Sequence, residues 1–357
     1  MPAKSKNDSK YVAYVSTYTM HDDVGIRVYD VDVANGRMSE IDGVKITNSS
    51  YLTMTHNGRY LYAITDMGVE GYKILADGRL ESINKALING MRGCYLSTDY
   101  DDKYLFVAGY HDAKVTALRL EEDGTIGEIT DEIFNAGIGS IVERSYRPHV
   151  TCTKMTRDNK FLCVCDLGMD QVKVYSLNHD TGKLKLVDMI HCPQDSAPRY
   201  IKFHKNGKFA YIMHEMSCKL EVYKYDVLPN GMPEFTNIAS YTTFNDSYHT
   251  SSCLGCAIKF SFDHKYIMCS NAGENSVAIF AVDEKTGLLE KLLVLPVSGD
   301  YPKDVGFFPD GKHIVSVNHE SNSLSFFKLD IDNRLIVMSG PFIKVTSGNC
   351  VIMKRLN

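Results

Sequence analysis

Arg199, Glu215 and His149 are the residues of this 357-residue chain whose types suit chemistry on a small polar molecule. An arginine carries a permanent charge and a planar fork of donors that can face an oxyanion. A glutamate or a histidine can take up a proton and return it. Lys303, Thr151, Asp66, His319 and Arg147 are the candidates for holding a ligand around them. These positions are scattered along the chain, so the fold must bring them together.

The repeat is legible as a short phrase: a turn dipeptide, a basic residue, usually an aromatic, then a strand. It reads NGRYLYAIT from Asn57, DDKYLFVAG from Asp101 and DNKFLCVCD from Asp158. It returns as NGKFAYIMH from Asn206, DHKYIMCSN from Asp263 and DGKHIVSVN from Asp310. The copies recur about every 50 residues, the scale of a propeller blade. Each is flanked by alternating apolar stretches, such as RYIKFH from Arg199 before it and KLEVYKYD from Lys219 after it. Turns such as TGKL from Thr181 then lead to a fourth short strand. Four strands per unit with Gly, Asn and Asp at the turns describe a blade, and no amphipathic helix stands out.

Six copies span Ser50 to Phe342, and the ends supply a seventh. The N-terminal YVAYVST and GIRVYDVDV read as second and third strands, and the C-terminal NCVIMKRL as the missing first one. Sharing one blade between the termini closes the ring and removes two sheet edges. The expected fold is therefore all-β, a seven-bladed β-propeller, with residues 1–357 as one domain.

Blade geometry predicts a rim. The innermost strand starts where the antiparallel second strand ends, so both points lie at one mouth of the central channel. Counting from the repeat aromatic, the inner strands start at Ser50, Cys94, Thr151, Arg199, Cys256 and Lys303. The second strands end at Asp66, Tyr110, Leu167, Glu215, Ala272 and His319, with Thr17 as the seventh-blade equivalent. His149 lies two residues before Thr151, on the same side of the pleat. Both charge signs and two histidines meet there, which suits a ligand site. The structural alternative is that a wet channel mouth tolerates charge at little cost.

Composition narrows the partners. The net charge is −5 and no basic stripe is present, which argues against nucleic acid and acidic lipid surfaces. The polar start MPAKSKNDSK lacks the apolar run of a secretory signal, and nothing approaches a membrane helix. A cytoplasmic location is expected, with the ten cysteines as free thiols. Cys253 and Cys256 form a C-x-x-C and Cys163 and Cys165 a C-x-C, but neither has the second pair a zinc site wants. No metal and no cofactor are expected. Cys94 and Cys256 read as buried, inert thiols, and His204, His264 and His313 as surface residues beside the turns.

Three longer phrases carry a resemblance: RPHVTCTKMTRDNKFLCVCDLGMDQVKVYSL, APRYIKFHKNGKFAYIMHEMS and YPKDVGFFPDGKHIVSVN. They resemble the seven-bladed lactonase propellers, which include bacterial 6-phosphogluconolactonases and the fungal carboxymuconate cyclase. The resemblance covers nearly the whole chain. It implies an active site of a histidine, two arginines and a glutamate. Arg199 and Glu215 match the first arginine and the glutamate. The histidine position is Thr151 here, although His149 matches a second histidine common in the family. The other arginine is Ala272, and Lys303 matches a basic residue common in the sixth blade. The absence of tryptophan sets aside WD-repeat scaffolds and quinoprotein dehydrogenases in their usual forms.

The resemblance implies metal-free hydrolysis of a sugar lactone, 6-phosphogluconolactone or a related aldonolactone, with that lactone or its acid as the partner. Arg199 would stabilise the oxyanion, and Glu215 or His149 would serve as base. A phosphorylated substrate wants several cations, for which Lys303, Arg92 and Arg147 are available. Two alternatives stay open: a lactonising cyclase, since ring opening and closing share a transition state, and a propeller that binds a small molecule without turning it over.

Overall fold

The structure, a computed structural model, describes residues 10–19, 24–140, 146–245 and 253–356. Seven antiparallel sheets follow one another along the chain. Numbered from the first repeat phrase, blade four consists of Pro198–Phe203, Phe209–His214, Lys219–Val227 and Pro233–Thr242, from the channel outwards. The inner strand of every blade touches the inner strands of both neighbours, and the seven contacts close a circle. Blade seven joins the ends of the chain. Gly348–Arg355 is its inner strand and pairs with Tyr11–Thr17 over seven residues. The outer strand of blade six is broken in two: Leu335–Met338 and Ile343–Lys344 both pair with Ser323–Asp330. One 3₁₀ turn, Leu167–Met169, is the only helical element among the described residues.

The repeat phrase works through its turn. Its second residue has a left-handed φ in all six copies: 69° at Gly58, 56° at Asp102, 59° at Asn159, 74° at Gly207, 63° at His264 and 65° at Gly311. Glycine takes this conformation freely and Asn or Asp nearly so, which is why the dipeptide is so restricted. The aromatic that follows starts the second strand and is buried: Tyr104, Phe161 and Phe209 sit between blade faces. The core is correspondingly divided into clusters between adjacent sheets rather than one centre.

Two of the three turn histidines depart from the surface expectation. His204 and His313 are buried. The ring of His204 packs on Phe260 of the next blade, and that of His313 lies against Phe308 and binds the Asp310 carboxylate through Nδ1. Neighbouring blades cover these turns, a contact that no single repeat reveals.

The inner strands share a second device. In blades three to six the pairing with the second strand slips by one residue, at Thr151, Arg199, Cys256 and Lys303. Such β-bulges re-aim a side chain that regular alternation would have sent elsewhere. In blade four both Arg199 and its neighbour Tyr200 consequently face the channel mouth.

Candidate active site at the channel mouth

A cup of about 380 Å³ opens at this mouth. Arg199, Glu215 and Lys303 line it together with Arg92, Asn349, His111 and five tyrosines. Arg199 is placed by the bulge at the start of its strand. Glu215 is placed by the end of the second strand, where its backbone N–H donates to Ala197 O at 2.7 Å and its carbonyl accepts from Gly255 N at 2.8 Å. The two side chains form a salt bridge, Nη1 of Arg199 donating to Oε2 of Glu215. Glu215 is 1% exposed, so the pair is shielded on the carboxylate side.

Lys303 reaches in from blade six. Its Nζ donates to Asn349 Oδ1 at 2.7 Å and lies 4.8 Å from the centre of the Tyr18 ring. The Arg92 guanidinium lies 4.9 Å from the same ring. Burial, followed by the charges of Arg199 and Arg92, pulls the Lys303 ammonium down to about 8. Burial raises the phenols of Tyr18 and Tyr200 and the Cys94 thiol, the last to about 12. Cys94 and Cys256, whose thiol is raised by burial too, therefore hold neutral sulfur at neutral pH.

At the foot of the cup three tyrosine rings lie against one another, tilted. Tyr51 and Tyr95 lie 4.2 Å apart between centroids, and Tyr95 and Tyr200 5.5 Å. Lys202 donates to the Tyr95 hydroxyl at 2.7 Å from beneath. Each of these tyrosines directly follows an aligned rim position, Ser50, Cys94 or Arg199. That column of tyrosines was the signal in the sequence for a floor.

None of the remaining candidates lines the cup, and four of them support it. Asp66 receives Arg92 Nη1 at 3.2 Å and Asn48 Nδ2 at 3.0 Å, fixing the Arg92 side chain against the wall. Thr151 donates its hydroxyl to Arg199 O at 2.9 Å and so pins the bulge from the neighbouring blade. His319 donates from Nδ1 to Gly348 O at 2.9 Å and packs on Tyr18 and Tyr301. His149 is buried under Tyr110, stacked at 4.2 Å, with its Nδ1–H on Tyr110 O at 2.8 Å. Burial lowers the His149 and His319 imidazoles below their usual value, so both rings are neutral at pH 7. Arg147 is exposed beside Tyr146 and is not among the lining residues.

Among the described residues two further groups of potential metal ligands lie outside the cup lining: Cys192, His214 and Glu221, and Asp99, Asp101 and His179. In the first, His214 and Glu221 already satisfy one another at 3.1 Å, with Ser196 and Tyr223 completing their hydrogen bonds. Among the described residues no helix is long and apolar enough to cross a membrane.

A seven-sheet ring of this kind has counterparts of known family. The signature described as "Lactonase, 7-bladed beta-propeller" matches residues 12–353. The chain belongs to that lactonase family. A 6-phosphogluconolactonase of Bacillus subtilis is 28% identical over 349 residues, 96% of this chain and 98% of that protein. An uncharacterised protein of Staphylococcus saprophyticus is 32% identical over 325 residues, 89% of this chain and 91% of its own length. Among solved structures, a Bacteroides fragilis protein provisionally called a 6-phosphogluconolactonase superposes with a TM-score of 0.87. It has 26% identity and covers 99% of this chain and 100% of its own. This lactonase propeller thus shares both its ring and its chain length with them.

Proposed function

We propose that the protein hydrolyses a sugar lactone in the cup, the reading carried by the Arg199–Glu215 pair facing a cavity of substrate size. A volume of about 380 Å³ suits one small polar ligand. The tyrosine floor offers apolar ring surface for the carbon face of a sugar ring. Arg199 donates to the carbonyl oxygen as it gains charge, and Glu215 accepts a proton from the attacking water. Lys303, charged below about pH 8, is the candidate donor to the departing ring oxygen. Among the described residues the lining is cationic, and Glu215, the one carboxylate among them, is engaged by Arg199. Such a set attracts an anionic substrate group rather than a divalent cation, which favours a metal-free reaction.

Arg92 and Lys303 flank Tyr18 and make the place where a phosphate would sit. Arg92→Ala should raise KM for a 6-phospholactone by at least about tenfold, the scale of one charge-assisted contact, and leave an unphosphorylated aldonolactone nearly unaffected. Equal effects on both substrates would remove the phosphate assignment. The pH dependence follows from Lys303. Its ammonium loses its proton as pH rises through about 8, so KM for an anionic lactone should climb between pH 7 and 9. The rise should be absent in Lys303→Ala, with spontaneous hydrolysis subtracted throughout.

The closed salt bridge favours one rival, a propeller that binds without turnover, because an engaged carboxylate is a weaker base. Initial rates on a panel of fresh lactones separate the two. Rates no higher than the spontaneous ones, with binding retained, establish the rival.

A further inference from the structure

Cys218 and Cys253 approach within 2.9 Å, sulfur to sulfur, beside the turn that carries Glu215. We infer that these two thiols are a disulfide-forming site that staples blade four to blade five under oxidising conditions. A disulfide requires about 2.05 Å between sulfurs, so closure needs less than about 1 Å of movement. The Cys218 backbone is already fixed. Cys218 sits in a left-handed conformation, φ 46°, and its carbonyl accepts the Thr243 N–H at 3.0 Å and the Thr243 hydroxyl at 2.9 Å. Cys253 immediately precedes the inner strand Leu254–Phe260 of blade five.

The pair is chemically asymmetric. Cys218 donates its S–H toward Cys253, which lowers the Cys253 thiol and raises the Cys218 thiol. Cys253 is the natural thiolate, and Cys218 the resolving thiol. A peroxide supplies the oxidation. The Cys253 thiolate attacks one peroxide oxygen; the S–O bond forms, the O–O bond breaks, and hydroxide leaves. Cys218 sulfur then attacks the sulfenic sulfur; the S–S bond forms and the S–O bond breaks. The departing oxygen leaves as water with the Cys218 proton. Two thiols are oxidised, and one peroxide is reduced to two waters.

The staple has a local consequence. The Glu215 carbonyl accepts Gly255 N–H at 2.8 Å, and the Cys218 sulfur lies 3.6 Å from the same oxygen. Oxidation binds the Glu215 turn covalently to the entry of the next blade. The other close thiol pair, Cys152 and Cys165, faces across adjacent strands of a single sheet and is as buried as the first. It therefore serves as an internal comparison.

The test treats the full chain with hydrogen peroxide, alkylates the remaining thiols and maps peptides without reduction. The expected result is a Cys218–Cys253 cross-linked peptide formed before any other, lost again with dithiothreitol, and a Tm raised by several degrees. Cys218→Ser should accumulate a sulfenic acid at Cys253 that dimedone traps, and Cys253→Ser should form none at Cys218. A Cys152–Cys165 bridge formed first, or overoxidation of Cys253 without a cross-link, overturns the proposal. Because the readout is covalent, it stands or falls separately from lactone turnover.

Discussion

Replacing Arg199 with alanine is expected to lower lactone hydrolysis by at least about a hundredfold, the scale of losing an oxyanion donor. Glu215→Gln should cost about as much, the scale of losing a general base. The two losses should not add, because the residues form one salt bridge and either change also misplaces the partner. Arg199→Ala leaves a carboxylate 1% exposed without its counter-charge, so part of its effect is on the shape of the cup. Arg199→Lys tests this, since it restores the charge but not the fork, and only partial recovery is expected. His149→Ala should lose far less. Its ring lies beneath Tyr110 and reaches the cup only by supporting that wall. Rates on a fresh aldonolactone, corrected for spontaneous hydrolysis, decide the order. A dead His149→Ala beside an active Glu215→Gln would move the base to the histidine.

Deleting 348–357 should abolish stable folding rather than trim a tail. Gly348–Arg355 is the inner strand of blade seven and touches the inner strands of blades six and one. Without it Tyr11–Thr17 becomes an unpaired edge, and buried Tyr14, Ala13 and Val15 lose their cover. The strand also brings Asn349, which holds Lys303 Nζ, and Val351, whose N–H binds Asp304 at 2.8 Å. Thermal unfolding followed by circular dichroism, with size-exclusion chromatography, checks the result. A truncated chain that stays monomeric with an unchanged Tm would show that closure contributes little. The full chain should unfold in one cooperative transition, as expected if all seven blades form one domain.

The sequence alone determined the ring. A turn residue with left-handed φ, a buried aromatic and alternating strands recur about every 50 residues, and each is a local requirement written into residue type. The same alignment placed Arg199, Glu215 and Lys303 at one mouth, because register along a blade is also local. What lay beyond it were contacts between blades and departures from regular alternation. The bulges at Thr151, Arg199, Cys256 and Lys303 leave no mark in period-two patterning, yet they decide which side chains enter the cup. His149 shares the pleat side of Thr151, but Tyr110 from blade two lies over it and keeps it from the lining. Tyr18 and Asn349 stand at opposite ends of the chain and meet only because the last strand closes the ring. Local chemistry thus chose the strands and their order, while packing between blades chose the residues that can touch a ligand.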